Sequence, residues 1–191
     1  MQSKNRIIDP KLKSLITFVI LVLIIGGASV AYSILSKNFR ANQPPNSNTT
    51  NSDLVKATDF TMIDNDGNTV KLSDYFGKPI VLNFWASWCP PCKSEMPNFN
   101  KAYLKEKDNI QFIMVDLVDG QRETVDTGKA YVKSQDFKFP VFFDTTGDAS
   151  EKYEISSIPM SVFINKDGYI VSKDIGMITE AVLLNSIASI K

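Results

Sequence analysis

Two cysteines three positions apart, Cys89 and Cys92, stand between an apolar run and a helical pattern, and nothing else in the chain restricts its fold as tightly. Pro79-Ile80-Val81-Leu82-Asn83-Phe84-Trp85 is almost wholly apolar, as suits a strand buried on both faces of a sheet. Beyond the pair, Cys92, Met96, Phe99 and Tyr103 recur at spacings of four, three and four, the period of an amphipathic helix. Pro97 lies inside that helix and is expected to kink it. Ile110–Val115 is a second apolar strand, so strand, helix and strand form a βαβ unit with parallel strands.

The remaining elements follow from turn signals and periodicity. Phe60–Ile63 and Thr69–Leu72 flank Asp64-Asn65-Asp66-Gly67 and read as a short hairpin. A weaker helix is expected over Thr124–Gln135, with Gly128 counting against it, and a strand over Phe139–Phe143. Ser161–Ile164 and Tyr169–Val171 flank Asn165-Lys166-Asp167-Gly168, a second hairpin. A last helix starts from Thr179 as N-cap and runs through Leu183, Ile187 and Ile190. The expected class is α/β, a mixed central sheet flanked by helices.

The cysteine pair sits where chemistry is possible. A thiolate at a helix N-terminus meets the positive end of the dipole and unpaired N–H groups, which lowers its pKa. Cys89 is expected at the exposed start, with Cys92 one turn in, where it can attack the Cys89 sulfur and resolve a mixed disulfide. Two blander readings are open: a stabilising disulfide, which over so short a loop restrains little, and half of a metal site. The chain has no further Cys and no His to complete such a site. The same lack of histidine excludes Cys-His dyads and His-based acid–base catalysis, and no metal or cofactor is expected. Pro90 and Pro91 bring no N–H groups to the loop, which leaves the thiolate less stabilised and the disulfide couple more reducing.

The N-terminal part points to a membrane. Ser14–Ser36 is a stretch of 23 uncharged residues, which as a helix spans roughly 34 Å, enough for a hydrocarbon core of about 30 Å. Lys4, Arg6, Lys11 and Lys13 precede it and Lys37 and Arg40 follow. The positive-inside rule then puts residues 1–13 in the cytoplasm and the rest outside, in the cell membrane as a single-pass protein. A cleaved signal peptide is the competing reading, with an apolar core over Leu15–Ile25 and Ser29-Val30-Ala31 as cleavage site; it leaves the domain on the same side. Residues 37–56, rich in Asn, Thr, Ser and Pro, read as a flexible linker, and residues 57–191 as one domain. The net charge of zero divides into +5 over residues 1–40 and −5 over residues 41–191. An acidic domain argues against a nucleic-acid partner.

Asn83-Phe84-Trp85-Ala86-Ser87-Trp88-Cys89-Pro90-Pro91-Cys92-Lys93-Ser94-Glu95-Met96-Pro97 resembles the active-site region of the TlpA/ResA-like, extracytoplasmic branch of the thioredoxin superfamily. The likeness covers nearly all of residues 57–191, and the N-terminal anchor agrees with it. It implies a thioredoxin fold with an N-terminal hairpin and a strand–helix insertion near residues 116–140. It also implies a cis-proline facing the disulfide, a position matched by Ile158-Pro159.

Glu95, one turn beyond Cys92, reads without the family as a solvated carboxylate among Lys93, Lys101 and Lys105. A glutamate at this spacing in ResA-like proteins is implicated in proton handling, and Asn83 stands here where cytoplasmic thioredoxins carry a buried aspartate. Trp85 is expected in the core. Trp88 is expected either to cover the Cys89 sulfur and contact substrate or to pack at the rim.

The resemblance implies a thiol-disulfide oxidoreductase that reduces cysteine pairs of exported proteins such as apocytochrome c, with electrons from a membrane thiol transporter. Related members serve spore-envelope assembly or feed exported reductases. A peroxiredoxin-like peroxidase is an alternative, but that chemistry uses Thr or Ser three residues before the reactive cysteine. Ala86 occupies that place, and no Arg lies near the motif in sequence. The third alternative is a tethered binding module in which the cysteines are incidental.

Overall fold

The computed structural model describes residues 54–191. The cytoplasmic tail, the membrane anchor and most of the linker expected above lie outside the described residues. Among those described, no helix is long and apolar enough to cross a membrane.

Eight strands form one mixed sheet. They are β1 (Val55–Lys56), β2 (Thr61–Ile63), β3 (Thr69–Lys71), β4 (Ile80–Trp85), β5 (Gln111–Leu117), β6 (Val141–Asp144), β7 (Met160–Ile164) and β8 (Tyr169–Ile175). Their spatial order is β1-β8-β7-β4-β5-β6-β2-β3. The parallel core β4-β5-β6 is extended by antiparallel β7 and β8 on one side and by the β2–β3 hairpin on the other. Among the described residues the α-helices are α1 (Pro90–Glu106), α2 (Val125–Ser134), α3 (Asp148–Lys152) and α4 (Glu180–Ser189).

Every residue of β4 is buried, as its composition requires. Its side chains divide by the strand period of two. Val81 and Trp85 enter a core shared with Met96 and Phe99 of α1 and Leu183 and Ile187 of α4. Ile80, Leu82 and Phe84 enter the opposite core with Phe60, Leu72, Ala149 and Tyr153. The sheet is thus covered on both faces, which is why its central strands carry no polar–apolar alternation.

Some expectations shift. β1 lies in the last two residues of the segment expected as linker, where Val55 and Lys56 pair with Ile170 and Tyr169. The sequence shows no strand there because two exposed residues on a sheet edge need no pattern. Helix α1 continues through Pro97 to Glu106. Gly128, read as weakening α2, sits where that helix closes on the sheet: a Cβ there would stand 1.9 Å from Asp116 Oδ2. Thr179 caps α4 as expected, its hydroxyl accepting from Val182 N at 3.3 Å. Helix α3 and the 3-10 turn Leu72–Tyr75 carried no periodic signal because each is about one turn long.

Candidate active site

Cys89 and Cys92 are joined in a disulfide at the N-terminus of α1, with Cα atoms 5.3 Å apart. Cys89 is the N-cap: its sulfur accepts from Cys92 N at 3.2 Å, and Pro90 and Pro91 occupy the first helical positions, where a missing N–H costs nothing. The loop therefore supplies one backbone donor to Cys89. Cys89 is not at an exposed start, since only 2% of it is accessible and Cys92 is fully covered. The covering is local. Trp88, Pro90 and Pro91 are exposed around Cys89, and its Sγ lies 3.8 Å from the Ile158 carbonyl oxygen. The Ile158–Pro159 bond is cis, as the resemblance implied, and Pro159 is buried.

A cleft of about 450 Å³ opens beside Cys89, lined by Trp88, Pro90, Leu117, Ile155 and Ile158 with Asp119 at its rim. Trp88 thus forms part of the wall of this cleft, while Trp85 is wholly in the core. Sequence reading missed the Ile155–Ser157 part of this wall, which lies far from the motif and reaches it because β7 pairs with β4.

Glu95 is not a solvated carboxylate. It is 1% exposed, and its two hydrogen-bond partners lie outside its own helix. Asn83 Nδ2 on β4 donates to Glu95 Oε1 at 3.0 Å, and Ile178 N before α4 donates to Oε2 at 2.9 Å. Asn83 also donates to Ser161 Oγ on β7 at 3.0 Å. Burial raises the Glu95 pKa to about 7 against the opposing pull of these donors. Asn83 suits a neighbour that changes charge, because turning its amide presents a donor to the carboxylate or an acceptor to the acid. Lys93 is turned away, its ammonium 5.4 Å from the Tyr131 ring centre.

No arginine stands near the motif in sequence, yet the fold brings one. The guanidinium of Arg122 lies 3.4 Å over the Trp88 ring. Parallel β4 and β5 end on the same side of the sheet, so the loop after β5 meets the turn after β4. Asp119 shapes that loop, its Oδ1 accepting from the backbone N–H of Gln121, Arg122 and Glu123. Glu123 then points inward and accepts from Ser87 N at 2.9 Å and Ser87 Oγ at 2.8 Å. Nothing in the local sequence marks Arg122 or Glu123. Among the described residues no cluster of His, Cys, Asp and Glu could hold a metal ion.

The comparisons agree with this geometry. Residues 55–173 match the AhpC/TSA family. The chain is similar to the thiol-disulfide oxidoreductase ResA of Bacillus cereus (strain ATCC 10987 / NRS 248), 31% identical over 163 residues, 84% of this chain and 88% of that one. It is 34% identical to the sporulation thiol-disulfide oxidoreductase A of Bacillus subtilis (strain 168) over 104 residues, 54% of this chain and 62% of the other. Among solved structures, a putative thiol:disulfide interchange protein DsbE from Chlorobium tepidum superposes with a TM-score of 0.65 at 29% identity, covering 72% of this chain and 97% of that one. A redox-capable cysteine pair capping α1, a cis-proline against it and a matching chain over most of its length lead to one assignment: the chain belongs to the AhpC/TSA family and, within it, to the thioredoxin-fold, ResA-like thiol-disulfide oxidoreductases.

Proposed function

We propose that this oxidoreductase works outside the cytoplasmic membrane as a tethered reductant of exported proteins, apocytochrome c cysteine pairs among them. The observation that carries the direction of transfer is the helix start. Cys89 receives one backbone N–H, from Cys92, and two prolines fill the positions between the cysteines. A thiolate so sparsely supported favours the oxidised pair and hence a reducing couple. The sidedness rests on the charge asymmetry around residues 14–36.

The steps follow from the geometry. Cys89, as thiolate, attacks one sulfur of a substrate disulfide in the cleft; a mixed disulfide forms and the other substrate sulfur leaves as a thiolate, which takes up a proton. Cys92 then loses its proton and attacks Cys89 Sγ. The protein pair becomes the disulfide seen here, and the second substrate sulfur leaves reduced. Two electrons pass to the substrate, and a membrane thiol transporter returns two to the pair. Glu95, one turn from Cys92 with a pKa of about 7, receives the Cys92 proton. Trp88 and Ile158 wall the place where the substrate chain lies, and Pro159 holds the Ile158 carbonyl toward Cys89.

Cys92→Ala leaves the mixed disulfide unresolved, so the captured proteins name the substrate. Capture of apocytochrome c supports the reading above; capture of spore-envelope proteins instead would favour a role like that named for the sporulation relative. The measured reduction potential is expected nearer about −270 mV than about −120 mV. A value at the oxidising end overturns the direction proposed.

A further inference from the structure

The buried carboxyls of Asp116 and Glu123 form a pair that the exchange steps do not use. Asp116 lies near the end of β5, opposite Trp85 in register and beneath Gly128 of α2. Both residues are fully covered. Neither Asp116 oxygen meets a hydrogen-bond donor, and the neighbouring Trp85 Nε1 has no acceptor. Buried acceptors without donors are costly, and two facing carboxylates more so. A proton on Asp116 removes the repulsion between the two carboxylates and turns one of its acceptors into a donor for Glu123. The surroundings agree. Burial first, then the charge of Glu123, with that of Asp119 weaker, raises the Asp116 pKa to about 9. Three cations of the surrounding elements lie over rings: Lys129 of α2 over Phe143 of β6, Lys93 of α1 over Tyr131 of α2, and Arg122 of the loop over Trp88. Strand β4 presents Trp85, which is uncharged.

Glu123 also reaches the reacting sulfur through one turn. The turn Ala86–Cys89 closes by Cys89 N donating to Ala86 O at 3.1 Å, and Glu123 grips its second residue by both the N–H and the hydroxyl. Thr127 Oγ1 donates to the other Glu123 oxygen at 3.0 Å. Arg122, the preceding residue, covers Trp88 from outside. We propose that Glu123, held by the proton that Asp116 carries, is a positioning residue that fixes the Ser87–Trp88 turn and with it the attack geometry of Cys89. This rests on the dithiol chemistry of Cys89 and Cys92.

The test uses the full chain and two readouts. The first is the rate at which the reduced protein reduces a small aromatic disulfide from pH 6 to 10. Glu123→Ala frees Ser87 and is expected to slow exchange about tenfold at pH 7, while Glu123→Gln, still able to accept from Ser87, recovers most of that loss. The ratio of wild-type to Asp116→Asn rates is expected to fall about threefold between pH 7 and pH 10, because the asparagine amide donates to Glu123 at every pH. The second readout is tryptophan emission of the oxidised protein, in which neither cysteine titrates. A transition near pH 9 is expected in the wild type and in Glu95→Gln, and its absence in Asp116→Asn. Wild-type exchange rates in Glu123→Ala, or persistence of the transition in Asp116→Asn, overturn the assignment. Should Glu123→Ala not fold, Ser87→Ala replaces it: a drop of about threefold supports the proposal and an unchanged rate refutes it. A failure of the dithiol chemistry itself shows in the wild type, whereas a failure of this assignment shows only in the variants.

Discussion

Burial gives Glu95 a pKa of about 7, so its charge changes within the range in which thiols begin to ionise. Two consequences belong to this residue. Because the folded pKa lies above the unfolded one, Glu95 favours the folded state fully below pH 4.5, and that contribution fades as pH rises to about 7. Urea melts at pH 4 and pH 7.5 should therefore show Glu95→Gln losing less stability across that interval than the wild type, by about 3 kcal/mol for a shift of this size. The second consequence is chemical. A carboxylate one turn from Cys92 opposes a second negative charge nearby, so Glu95→Gln should lower the Cys92 thiol pKa, as followed by alkylation rate against pH. Unchanged cysteine titration would separate Glu95 from the redox pair. Its burial was not legible in the motif, where three lysines nearby made exposure the simpler reading; Asn83 and the Ile178 N–H, 12 and 83 residues away, decide it.

Helix α2 shows how an element can be set by what lies beneath it. Glycine inside a helix ordinarily weakens it, and the sequence alone counts Gly128 as a liability. On the sheet it is the residue that lets α2 cross above Asp116, with Phe143 Cε1 also within 3.3 Å of a notional Cβ. Gly128→Ala is expected to destabilise the domain by about 2 kcal/mol despite the better helix propensity of alanine. Adding Asp116→Ala should recover most of the loss, a coupling that a double-mutant cycle in urea reads directly. Helix α4 behaves more simply. Its Thr179 cap satisfies one otherwise open N–H, so Thr179→Ala should cost about 1 kcal/mol in the same assay. That cap and the apolar spacing of α4 were readable because both are local, whereas the reason for Gly128 lies in another strand.

Over the whole domain, the buried carboxyls of Glu95 and Asp116, both with raised pKa values, tie stability to pH up to about 9. Asp116 carries its proton in the folded state up to about pH 9 and would lose it near pH 4 when unfolded. Stability from this group is complete below about pH 4 and declines as pH climbs to 9. Thermal melts of the oxidised chain between pH 5 and 9 should thus slope downward in the wild type and more gently in Asp116→Asn. The amino-acid sequence by itself determined the order of the longer strands and helices, the cysteine pair at a helix start, the two hairpins and the family. Each of these is written in near-neighbour periodicity, in turn residues or in a contiguous motif. Only the tertiary structure decided that Cys89 is covered, that Glu95 is buried, and that Arg122 and Glu123 flank the turn before Cys89. Parallel strands β4 and β5 end side by side, so residues more than 30 positions apart become neighbours. Burial and hydrogen bonding between such residues leave no trace in local pattern.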